Sequence, residues 1–106
     1  MRIKLTKLTL FCLSATVGLA ADVNAGKATF DQSCKACHGA DGAGNPGIAK
    51  MMNVEMKALG SADVQAMSDD SLKKVVTDGK GKMKPVTSVT GKALDNVIAY
   101  VRSLKK

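Results

Sequence analysis

Apolar residues recur at helical spacing in several stretches of the chain, and no stretch alternates in the manner of a half-buried strand. The most sustained pattern is Leu94, Val97, Ile98, Val101 and Leu104, an i, i+3, i+4, i+7 stripe with Tyr100 on its flank. Thr87 or Thr90 can cap it, and Arg102, Lys105 and Lys106 stand where a helix dipole favours positive charge. A second helix is predicted from Ser68, a good N-cap. Asp69 and Asp70 put negative charge in its first turn, Leu72, Val75 and Val76 form its stripe, and Gly79 stops it. Ile48, Met52, Met56 and Leu59 predict a third, with Gly60 as its stop. A first helix starts at Asp22 or Asn24, carries Gly26 and Phe30 on one face, and runs into Cys34. Glycine-rich Gly39–Gly47, the featureless Ser61–Met67 and the segment Lys80–Pro85 read as connections. The pattern predicts an all-α chain of about four helices.

Upstream of Asp22 the pattern is different. Arg2, Lys4 and Lys7 precede Leu8–Ala20, an uncharged and mostly apolar run that ends in the small residues of Gly18-Leu19-Ala20. This is the layout of a secretory signal peptide over residues 1–20, with cleavage after Ala20 or Ala21 and a single domain over 21–106. The run is short for a bilayer span and meets Asp22, Asn24 and Lys27 rather than a stop-transfer sequence, so no membrane span is expected after cleavage. Cys12 leaves with the leader. Leu10 and Phe11 before it lack the small residue that a lipoprotein site requires. The leader takes three of the sixteen Lys and Arg and none of the nine Asp and Glu, so the net charge falls from +7 to +4. So mild a basic excess suits an acidic protein partner better than nucleic acid, which calls for a denser stripe.

Some 85 residues remain, with Phe30 and Tyr100 as their aromatic side chains. A chain of that size struggles to build a sufficient core from its own residues. Cys34-Lys35-Ala36-Cys37-His38 supplies a reason it need not. Two thiols at this spacing, followed at once by an imidazole, form the attachment sequence of a c-type haem. Cys34 and Cys37 would bind the porphyrin through thioethers and His38 would bind the iron axially. A structural zinc site needs four ligands from Cys and His, and beyond the leader the chain has two Cys and the single His38. A thioredoxin-like pair belongs near a β-α-β pattern, which is lacking. The two thiols are committed to the cofactor, which excludes a disulfide framework. Haem attachment outside the cytoplasm agrees with the leader and places the protein in the periplasm.

Met83 lies in Lys80-Gly81-Lys82-Met83-Lys84-Pro85 and has no helical stripe to join. Its thioether is a soft, neutral donor suited to the iron's sixth position. Met51, Met52, Met56 and Met67 are rivals, although three of them fit better as adaptable core filler at helical spacing. The Gly39–Gly47 loop lacks the Lys-Ser/Thr ending of a phosphate loop. It reads instead as a wrap around the His38 side of the porphyrin, with the Pro46 carbonyl the favoured acceptor for the His38 Nδ1 proton.

With these residues in place, the chain resembles the small, soluble bacterial class I cytochromes c with one haem. The resemblance covers the whole predicted mature sequence. It implies helices packed around one covalently bound haem c, with a Gly/aromatic pair (Gly26 and Phe30) crossing an aliphatic/aromatic pair (Val97 and Tyr100). It also places the Met ligand between the last two helices, where Met83 lies. The chain has no Trp, so a Trp–propionate hydrogen bond known in some relatives is absent. The function implied is a monomeric periplasmic one-electron carrier, not an enzyme, that serves redox partner proteins with an acidic docking surface. Lys80, Lys82 and Lys84 would face that surface. Alternatives are an electron-transfer subunit of a larger oxidoreductase, or a peroxidase-like or gas-binding haem enzyme with an open iron site.

Overall fold

The predicted stripes become helices in the computed structural model, which describes residues 20–106; the leader through Leu19 lies outside the described residues. Four helices have seven to thirteen residues: α1 (Val23–Ser33), α3 (Pro46–Met52), α5 (Asp69–Asp78) and α6 (Gly91–Ser103). Two four-residue turns, α2 (Lys35–His38) and α4 (Ala62–Gln65), lie between them. The described residues contain no strand, only an isolated bridge between Lys80 and Met83.

The principal contact is the crossing of α1 and α6. Phe30 and Val97 are almost wholly buried there, at 1% and 2% exposure. The Phe30 and Tyr100 rings pack with centroids 5.0 Å apart and planes tilted by 57°, a geometry that aromatic quadrupoles favour. Gly26 makes the approach possible. A Cβ at this position would run into the main-chain carbonyl of Asn96 and stand 3.1 Å from Cβ of Tyr100. Asn96 is itself buried, and its Oδ1 accepts the Asp22 amide at 2.8 Å. Asp22 rather than Asn24 caps α1, with its carboxylate accepting from the amides of Asn24 and Ala25 at 2.9 and 3.1 Å.

The second half of the core lies between α5 and α6. Leu72, Val76, Val89, Leu94, Val97, Ile98 and Val101 form one buried cluster, with Leu59, Val64, Met67, Val86 and Ala93 packed against it. Both expected α5 boundaries hold: Ser68 Oγ accepts the Ser71 amide at 3.1 Å and Gly79 ends the helix. Thr90 stands at the N-cap position of α6, without a side-chain cap bond.

Two segments differ from their sequence reading, the third helix and residues 61–67. The third helix ends at Met52 because Asn53 adopts the left-handed conformation, φ 54° and ψ 51°, which Asn tolerates. Met56 and Leu59 therefore lie outside it. The first helix runs up to Cys34 as expected: it spans Val23–Ser33, and Cys34, at φ −125° and ψ −27°, caps it and separates it from α2. Residues 61–67 are an ordered clip rather than a loose connection. Ser61 caps α4, and Gln65 Nε2 donates to the Leu59 and Val101 carbonyls, each at 2.9 Å. Arg102 closes the clip. Its guanidinium donates to the carbonyls of Gln65 (2.9 Å) and Met67 (2.5 Å) and to Asp69 Oδ1 (2.8 and 3.0 Å).

Candidate haem-binding site

The turn that holds the two thiols hangs from the end of α1. The Cys37 and His38 amides both donate to the Cys34 carbonyl, at 3.2 and 3.0 Å. Residues three apart on such a turn share a face, which puts Cys34 and Cys37 on one side. Cys34 is half-buried and Cys37 exposed. Burial, and secondarily the neighbouring Cys37, pushes the Cys34 thiol up from its ordinary value. His38 closes the turn and is half-buried. Burial pushes its imidazole down, which favours the neutral ring that binds a metal.

The loop after His38 returns across this turn and takes up its end carbonyls. The Gly44 amide donates to the His38 carbonyl at 2.7 Å and the Asn45 amide to the Cys37 carbonyl at 2.9 Å. Tyr100 on α6 donates its hydroxyl proton to the Ala40 carbonyl at 3.1 Å. Asn45 joins two elements: Nδ2 donates to the Ala36 carbonyl at 3.1 Å, while Oδ1 caps α3 by accepting from the Gly47 and Ile48 amides at 3.0 and 3.3 Å. Sequence reading missed Asn45. The signal was present in Asn45-Pro46, an N-cap residue followed by proline at the first helical position.

Pro46 does not accept from His38, whose Nδ1 is buried without a hydrogen-bond partner. Pro46 opens α3, so its carbonyl points along the helix toward the amide four residues on.

Met83 sits in a hairpin after α5. Its amide and carbonyl pair with the carbonyl and amide of Lys80, both at 2.9 Å. Gly81 turns the hairpin at φ 58°. Gly79, at φ 80°, lies so close that a Cβ there would stand 2.5 Å from the Met83 carbonyl oxygen. Met83 is half-buried. The rivals are placed differently. Met67 packs against the α5–α6 core, Met51 is 74% exposed, and Met52 and Met56 are half-buried.

The residues present fit a c-type haem. The donor set is two thiols on one turn, an imidazole held toward its neutral form with an orphaned buried Nδ1, and a thioether outside the core cluster. The apolar side chains of 46–58 also lack a protein core to join: none in α3 is buried, and Val54 and Met56 are half-buried.

Comparison with known proteins agrees. Residues 21–101 match the family model described as cytochrome c oxidase, cbb3-type, subunit III. A solved structure, the KustC0563 c-type cytochrome, superposes with a TM-score of 0.64 at 25% identity, covering 76% of this chain and 98% of that one. No curated protein matches the chain. Among the described residues no helix is long and apolar enough to cross a membrane. The chain belongs to the cbb3-type subunit III cytochrome family and is a small, all-helical c-type cytochrome with one covalently bound haem c, an electron-transfer protein.

Proposed function

We propose that the protein is a periplasmic one-electron carrier in which Cys34 and Cys37 would anchor the haem and His38 and Met83 would bind its iron. When bound, the haem supplies exchange of a single electron between ferric and ferrous iron. Cys34 and Cys37 fix its edge to the turn after α1. His38 donates the lone pair of a ring that burial holds toward neutrality. Met83 donates a soft thioether, which raises the potential. The observation that carries this reading is the Met83 hairpin, which holds a half-buried methionine outside the α5–α6 core. With both side chains bound, the iron would have no open position for oxygen or peroxide, which supports a carrier of electrons rather than an enzyme.

The signal peptide is cleaved after Ala20 or Ala21, and thioether formation follows outside the cytoplasm. Matured protein should retain its colour through acid–acetone extraction and titrate reversibly with one electron per chain. Extractable pigment would overturn the covalent reading, and rapid carbon monoxide uptake by the ferrous protein would overturn the closed iron.

The partner of a monomeric carrier is a redox protein with an acidic face. Lys80, Lys82 and Lys84 cluster about the Met83 hairpin, and such a cluster steers association in a salt-dependent way. Electron-transfer rates to that partner should fall by roughly tenfold or more between low and physiological ionic strength. Rates indifferent to salt would exclude steering. The family description favours a second reading, a subunit held permanently in a larger oxidase. Size-exclusion chromatography of native extract separates the two by whether the pigment elutes as a single chain smaller than the 11.0 kDa precursor or with a complex.

A further inference from the structure

The Met83 hairpin is fastened to the body at its root and at its tip. At the root, the Val86 amide donates to the Val76 carbonyl at 2.8 Å and Gly79 packs against the Met83 backbone. At the tip, Lys82 Nζ donates to the Met52 carbonyl at 2.7 Å, across 30 residues of sequence.

Met52 is the last residue of α3. The last four carbonyls of a helix have no intrahelical donor. Here the Asn53 and Val54 amides serve Ala49, and the Asn53 amide also serves Lys50. Lys82 serves Met52 from a distant loop and brings positive charge to the negative end of the helix. Lys82 is also the immediate neighbour of Met83, so any displacement of this tether moves the sulfur-bearing residue.

We propose that Lys82 is a positioning residue, its ammonium latched to the Met52 carbonyl so that the hairpin keeps the Met83 sulfur on the iron. The inference rests on Met83 being the axial ligand. Lys80 and Lys84 carry the same charge in the same loop and serve as controls.

The test is imidazole uptake by ferric holoprotein, a reaction gated by release of the Met83 sulfur. A charge-assisted hydrogen bond is large enough that Lys82→Ala should take up imidazole about tenfold faster than the parent. Lys82→Arg should stay within about twofold, because it can still donate to the carbonyl, and Lys80→Ala and Lys84→Ala should do the same. Hydrogen exchange supplies a second readout: the Met83 and Lys80 amides should exchange faster in Lys82→Ala than in either control. Met83→Ala is run alongside. If it keeps the methionine–iron signals, the ligand assignment fails and the latch with it. If it loses them while Lys82→Ala takes up imidazole no faster than Lys80→Ala, the latch alone is wrong.

Discussion

Gly26→Ala is expected to destabilise the holoprotein, although alanine is the better helix former. In an exposed helix interior this substitution gains about 1 kcal/mol. At Gly26 the new methyl meets the main-chain carbonyl of Asn96, and main chain in a packed helix cannot turn aside as a side chain can. α1 and α6 must separate. Separation loosens the Phe30–Tyr100 ring pair and pulls the Asp22 amide from Asn96 Oδ1. Overpacking of a core costs about 1–3 kcal/mol, and a clash with main chain belongs at the upper end. The net loss should be ~2 kcal/mol, or a fall of roughly 10 °C in Tm for a domain of this size. Thermal and urea unfolding of the ferric holoprotein measure it. A midpoint equal to or above the parent's would mean that the helices do not meet at Gly26.

Met83→Ala has the largest expected effect on the iron. A thioether stabilises the ferrous state, whereas the water or hydroxide that replaces it prefers the ferric state, so the potential should drop. The fall should be on the order of 0.2 V, within the ~0.8 V range that axial ligands set. The weak red Met–iron(III) charge-transfer band and the strongly shifted methionine methyl signals should vanish together, and the ferrous variant should take up carbon monoxide rapidly. Survival of band and potential would move the assignment to Met52 or Met56, the half-buried methionines outside the core cluster. The fold should change little, since Met83 is not part of the buried cluster.

Much of this architecture is written in short-range signals. Asp22, Ser68 and Gly79 end their helices where their cap chemistry directs. The Cys34–His38 spacing carries its own mechanism. The costly Gly26 made sense once paired with Asn96 and Tyr100. Other features depend on tertiary structure. Periodicity over Ile48–Leu59 says which positions are apolar, but not where the backbone leaves the helix, and a single left-handed Asn53 ends it after Met52. Which carbonyl faces His38 depends on how α3 is aimed, and α3 turns the Pro46 carbonyl inward to its own helix. Lys82 was legible as charge near Met83, whereas its bond to Met52 required the folded chain.

Helix α3 has seven residues and so spans only about 10 Å. Asn45 grips the cysteine-bearing turn at one end, and at the other the Met52 carbonyl holds Lys82 of the methionine hairpin. It acts as a strut between the Cys34–His38 turn and the Met83 hairpin, and a strut transmits load in both directions. A substitution that shortens, unwinds or tilts it shifts the two proposed iron ligands, His38 and Met83, together, so a spectral change in such a variant is a property of the pair.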